Sequence, residues 1–262
     1  RQHGLVPQWR AGGVAGGSQI QYAWAMQTRT IEYTDAHGAY EGLVAVPSGS
    51  GRRPAVMVCH AWEGQDDFAR QEAKRLAELG YIGFAADVYG KGRRAAAGDK
   101  DAAGALMTPL VEDRALLAKR LQASLDAMAS QPEVDPDRCA AIGFCFGGLC
   151  VLDMARKNMA LRGVVALHGL FFPSDVSNAP IRPKVLALHG YDDPMATPDA
   201  LVAFGKEMTD AKADWQVHAY GGTMHAFTNP AANDPGFGVR YSADADRRAR
   251  AALRGFLGEL FG

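Results

Sequence analysis

The chain has 262 residues, the length of one large α/β domain, and at that size folding buries roughly 70–75% of the unfolded surface. A site can then hold costly polar groups without disulfides or a structural metal. The formal net charge of -1 and the lack of a basic stripe exclude nucleic acid and an anionic membrane surface as expected partners. None of the four cysteines (Cys59, Cys139, Cys145, Cys150) forms a CxxC pair, which disfavours a zinc ribbon or thioredoxin-like centre and fits a reducing, cytoplasmic compartment.

Residues 1–25 read as an appended or flexible tail. They contain no continuous apolar run for a signal peptide or a membrane span, and a clean strand pattern starts only after Met26. Residues 26–262 are expected to form a single domain. Strands are predicted at 28–33 and 40–47, joined by a turn at 35–38. The run 54–60 is continuously apolar, as in a strand covered on both faces. A helix is expected at 66–79, with Gly80 as its C-cap, followed by a buried strand at 81–87. A loop rich in Gly, Lys and Arg spans 90–98. One long helix is expected at 111–130, ended by Gln131-Pro132. Further strands fall at 139–144, 163–168, 184–190 and 214–220, and helices at 147–157, 197–209 and 243–260. This alternation predicts a mostly parallel sheet of about eight strands with helices on both faces, a three-layer α/β architecture. Ligands bind such sheets beyond the carboxyl ends of the strands.

The strongest chemical signal is Gly143-Phe144-Cys145-Phe146-Gly147-Gly148 between an apolar strand and a helix pattern. That is the setting of a nucleophile elbow, where a strained turn lifts one side chain above the sheet at a helix N-terminus. The positive end of the helix favours a thiolate. Chain order then places an acid and a histidine downstream. Tyr191-Asp192-Asp193-Pro194 offers two aspartates, of which Asp193 is preferred on its spacing from Gly190 and the other is left as a turn residue. His225, in a glycine-preceded loop, is the expected base. His60, His168, His189 and His218 are expected to be packed or bonded to loops. Backbone N–H groups of Phe146 and Trp62 are the expected oxyanion donors.

These motifs resemble the dienelactone hydrolase family. The likeness rests on the elbow, on His60-Ala-Trp-Glu-Gly64, Ala86-Asp87-Val-Tyr89 and His189-Gly-Tyr-Asp-Asp193-Pro, and on Gly222-Thr-Met-His225-Ala-Phe227. It implies an α/β-hydrolase fold, a Cys145–His225–Asp193 triad with no cofactor or metal, and oxyanion donors at Trp62 and Phe146. Two departures argue against dienelactone itself as substrate. Family members acting on it carry a glutamate where Ala61 stands here, and Glu63 substitutes only if the loop turns it inward. They also bind the substrate carboxylate with an arginine four residues after the histidine, where this chain has Asn229. A buried carboxylate without a charged partner is costly.

Neutral esters or lactones are therefore the expected small-molecule substrates. Trp62, Glu63, Tyr89, Phe146, Phe171, Phe172, Phe227 and Asn229 are candidates to line the pocket. Aryl esters and phosphotriesters are an alternative on the same triad, and a non-catalytic ligand-binding protein on the same fold is an alternative of another class. The chain is expected to act as a monomer or homodimer. Whether the 90–98 loop forms a lid is left open.

Overall fold

The computed structural model describes residues 26–175 and 179–262. The expected tail at 1–25 lies outside them. Eight strands form one sheet: β1 (Gln27–Asp35), β2 (Gly38–Val46), β3 (Arg53–Cys59), β4 (Ile82–Ala85), β5 (Val134–Phe144), β6 (Gly163–Leu167), β7 (Lys184–Gly190) and β8 (Trp215–Tyr220). Their spatial order is β1-β2-β4-β3-β5-β6-β7-β8. β1 pairs antiparallel with β2, and β2 antiparallel with β4, while every pairing from β4 to β8 is parallel. This is the predicted three-layer architecture.

Strands β4 and β6 are buried at every residue, which is why their sequences read as unbroken apolar runs rather than alternating ones. Helices α1 (Asp67–Glu78) and α6 (Ala243–Phe261) cover one face, through Ala69, Ala73, Leu76, Ala249, Leu253 and Leu257. Helices α3 (Arg114–Ala129), α4 (Phe146–Arg156) and α5 (Pro198–Asp210) cover the other, through Leu117, Leu121, Leu149, Val151, Phe204 and Met208.

The structure corrects the reading of 90–130 in one respect. A separate helix, α2, spans Lys100–Glu112, and the chain breaks at Asp113 before α3 begins. Gly104, Thr108 and Pro109 are poor helix formers, so the sequence of α2 conceals it. Its N-cap Asp99 accepts a bond from the Ala102 N–H at 3.0 Å. Asp113 caps α3 in the same way, through the Leu116 N–H at 2.8 Å. Two short strands, β9 (Asn233–Asp234) and β10 (Val239–Arg240), form a small antiparallel ribbon that the sequence reading also missed.

Candidate active site

The expected site residues gather beyond the carboxyl ends of the central strands. Cys145 joins β5 to α4 with φ 56° and ψ -116°, a conformation unusual for a residue with a Cβ. Its neighbours explain how so tight a corner fits. A Cβ on Gly143 would lie 1.9 Å from the Gly147 carbonyl oxygen, and one on Gly147 would lie 2.1 Å from that of Cys59. Glycine is therefore required on both sides of the corner. The Cys145 N–H donates to the Leu167 carbonyl at 3.1 Å, tying the corner to β6. Cys145 is half-buried, whereas the other three cysteines are buried. Burial pushes the Cys59 thiol up to about 12 and the Cys139 thiol up to about 11, and it raises that of Cys150 well above its ordinary value. Those three are held as neutral, inert thiols.

His225 and Asp193 come from loops after β8 and β7. The Asp193 carboxylate accepts from His225 Nδ1 at 2.6 Å through Oδ2 and from the Met195 N–H at 2.8 Å through Oδ1. Both residues are buried, and Asp192 is exposed. The β9–β10 ribbon holds the histidine backbone: the His225 N–H donates to Gly238 at 3.0 Å, and the Arg240 N–H donates to His225 at 3.1 Å. With Nδ1 taken by Asp193, Nε2 is the ring nitrogen left over, buried and without a hydrogen-bond partner among the described residues. Burial disfavours charge on the ring, but the negative field of Cys145 and the hydrogen bond to Asp193 outweigh it and raise the His225 pKa to about 10.

His168 lies against this ring. Its centroid is 5.2 Å from that of His225 in an edge-on arrangement, and its Nε2 is 2.9 Å from the Thr228 hydroxyl. Burial, with the nearby His225 charge, keeps His168 neutral by lowering its pKa well below the ordinary value.

Phe146 is the first residue of α4, so its N–H is one of the four at a helix start that lack an intrahelical acceptor. Trp62 occupies a turn closed by the Gly64 N–H on the Ala61 carbonyl at 3.2 Å. Glu63, in the same turn, is half-buried. Burial holds its carboxyl above the ordinary range, against hydrogen bonds from its own N–H and the Trp62 side chain. Its carboxyl also feels the His225 charge, weakly.

The other pocket candidates fare differently. Tyr89 is buried and donates its hydroxyl to the Trp62 carbonyl at 3.0 Å. Phe146 is buried beneath it, ring centroids 5.7 Å apart. Phe171 stacks on Phe204 at 4.6 Å, and Phe227 packs fully buried against Tyr220 and His168. Phe172 is exposed. Asn229 serves its own turn, its side chain accepting from the Ala231 N–H at 3.0 Å. The sequence reading missed Phe237, which stacks on Trp62 at 6.0 Å and carries Lys100 Nζ 3.9 Å above its ring centre. Its one signal was the turn Asp234-Pro-Gly-Phe-Gly238, in which Gly238 takes φ 83°.

A doubly covered parallel sheet with a strained elbow at the end of a central strand defines the class: an α/β-hydrolase. Residues 40–261 match the model of the dienelactone hydrolase family, and the chain belongs to that family. The solved structure of P91, a dienelactone hydrolase-like promiscuous phosphotriesterase from metagenomic libraries, superposes with TM-score 0.86 at 38% identity, covering 91% of this chain and 100% of its own. A Bradyrhizobium protein named as a probable 2-oxo-3-(5-oxofuran-2-ylidene)propanoate lactonase is 27% identical over 220 residues, 78% of this chain and 86% of that one. The carboxylesterase EstE1, also from a metagenomic library, shares the fold at TM-score 0.64 and 16% identity, over 90% of both chains. The chain is thus an ester or lactone hydrolase that acts on small molecules.

Proposed function

We propose that this hydrolase cleaves neutral esters or lactones through a covalent intermediate on Cys145, with His225 and Asp193 completing the triad. The observation that carries the reading is the 2.6 Å bond between Asp193 and His225 Nδ1, on a ring whose charge responds to the Cys145 sulfur. The thiolate attacks the carbonyl carbon, and the carbonyl electron pair moves to oxygen, where the N–H groups of Phe146 and Trp62 receive it. As the tetrahedral species collapses, His225 Nε2 gives its proton to the leaving oxygen and a thioester remains. Neutral His225 then takes a proton from water, hydroxide adds to the thioester, and the sulfur departs as thiolate beside the imidazolium. Asp193 holds the useful tautomer throughout.

Substrate charge follows from the lining. Asn229 is committed to its turn, and Glu63 adds a carboxyl whose field reaches His225. A substrate carboxylate would enter this site at a cost. The test is a panel of p-nitrophenyl esters and lactones against wild type and Cys145→Ala. Hydrolysis is expected to fall about 10³-fold or more in the variant, and equal rates in the two proteins would overturn the reading.

Phosphotriesters are a second reading, favoured by the likeness to P91, the promiscuous phosphotriesterase at 38% identity. A tetrahedral phosphoryl centre would meet the same thiolate and the same donors. Cys145-dependent release of an aryl alcohol from an aryl phosphotriester supports it.

A further inference from the structure

The Ala61–Trp62 peptide is fixed at its carbonyl end by a buried histidine. The backbone N–H of Val88 lies 3.1 Å from His60 Nε2, and a backbone N–H can only donate. Nε2 is therefore the acceptor, and in the neutral ring the proton is on Nδ1. Nδ1 sits 2.6 Å from the Ala61 carbonyl oxygen and donates to it. Burial favours that neutral ring. The same carbonyl also accepts from the Gly64 N–H at 3.2 Å. In a trans peptide the C=O and N–H point in opposite directions, so two donors on Ala61 oxygen aim the Trp62 N–H the other way and polarise it.

The next carbonyl along, that of Trp62, is held by the Tyr89 hydroxyl at 3.0 Å. Tyr89 is placed in turn by Asp87, whose carboxylate accepts from the N–H groups of Tyr89 and Gly90 at 3.0 and 2.9 Å. The rings of His60 and Tyr89 pack at 4.7 Å, and each also packs on Phe146, at 6.3 and 5.7 Å. Phe146 carries the other proposed oxyanion N–H. One buried cluster of three rings thus joins both donors.

We propose that His60 and Tyr89 are positioning residues for acyl transfer: His60 sets the plane of the peptide that offers the Trp62 N–H, and Tyr89 locks that turn to Phe146. The proposal rests on the triad and oxyanion assignment above. The hydrogen bonds of both side chains go to backbone atoms and none to Cys145, His225 or Asp193, so both act through backbone. Their removal should slow the step that builds negative charge on oxygen and leave intact the reactivity of the sulfur itself.

The experiment uses Tyr89→Phe and His60→Gln in the full chain. It measures the acylation burst with a p-nitrophenyl ester, the KM, the affinity for an aryl trifluoromethyl ketone, and the rate of Cys145 alkylation by iodoacetamide, which needs no oxyanion donor. Acylation is expected to fall about 10-fold in Tyr89→Phe and about 100-fold in His60→Gln, the scale of displacing or losing one donor. Ketone affinity should weaken by similar factors, with KM and alkylation unchanged. Tyr89→Phe removes one oxygen only and decides the matter alone if His60→Gln does not fold. The inference is overturned if acylation is unchanged, or if acylation and alkylation fall together. If wild type and Cys145→Ala hydrolyse the ester equally, the triad reading falls and takes this inference with it. If hydrolysis depends on Cys145 and both variants acylate normally, this inference alone falls.

Discussion

Asp193 does two things with one carboxylate. It fixes the turn after β7 through the Met195 N–H and orients His225 through Nδ1. It also contributes to raising the His225 pKa from 6.5 to about 10, alongside the larger effect of Cys145 and against burial. A histidine whose folded-state pKa lies above its ordinary value adds stability while it and its anionic partners are all charged, and that contribution is lost as pH rises through about 10. The same protonated ring is the proposed acid for the leaving oxygen, so kcat/KM should fall on the alkaline side near pH 10. Asp193→Asn removes one of the raising influences, and its alkaline limb should move to lower pH. The wrong tautomer should also cut kcat by about 10⁴-fold. A pH-rate profile of both proteins checks this, and an unmoved limb would contradict it. At this scale Cys145 was legible because the corner needs glycines at fixed offsets. The setting of His60 was not, because both its partners are backbone atoms, one of them delivered by the chain after β4.

Helix α4 begins just after Cys145 and is anchored at its far end by buried charge. Asp153 accepts from Arg114 on α3 and from Arg156, and Arg156 pairs with Glu207 on α5. Asp153 and Arg156 have no exposed side-chain surface, so removing one partner leaves a charge buried and unpaired. Asp153→Ala is expected to lower stability by about 3–5 kcal/mol, read as a lower midpoint in urea unfolding. A loss below about 1 kcal/mol, the worth of a surface pair, would show that the network is not essential. Elements with strong periodicity or unbroken apolar runs were read correctly. Helix α2 was not, because Pro109 and Gly104 hide it and its caps rest on single aspartates. The β9–β10 ribbon is too short to leave a pattern, though it carries the backbone of His225.

Across the whole molecule, residues distant in sequence converge because β3, β5, β7 and β8 run parallel and end on one side. That convergence was legible from strand order alone. The Trp62–Phe237 stack was not, since it needs the loops after β3 and after His225 to meet in space. Among the described residues, no group of three or more His, Cys, Asp or Glu side chains is arranged to hold a metal ion, and the proposed chemistry runs on thiolate, imidazole and backbone dipoles. Hydrolysis is therefore expected to be unchanged after dialysis against EDTA, and a loss reversed by added zinc would contradict the scheme. No helix among the described residues is long and apolar enough to cross a membrane.

The bend at residue 145 is enforced from outside that residue. Gly143 and Gly147 let neighbouring backbone close in, and the Leu167 carbonyl holds the amide, so the scaffold specifies a direction of projection and leaves the projected atom free. Exchange of sulfur for oxygen or selenium would alter nucleophilicity and leaving ability without re-routing the chain. In this molecule the choice of reagent and the architecture that presents it are separable, so divergent chemistries can arise there by changing a single atom.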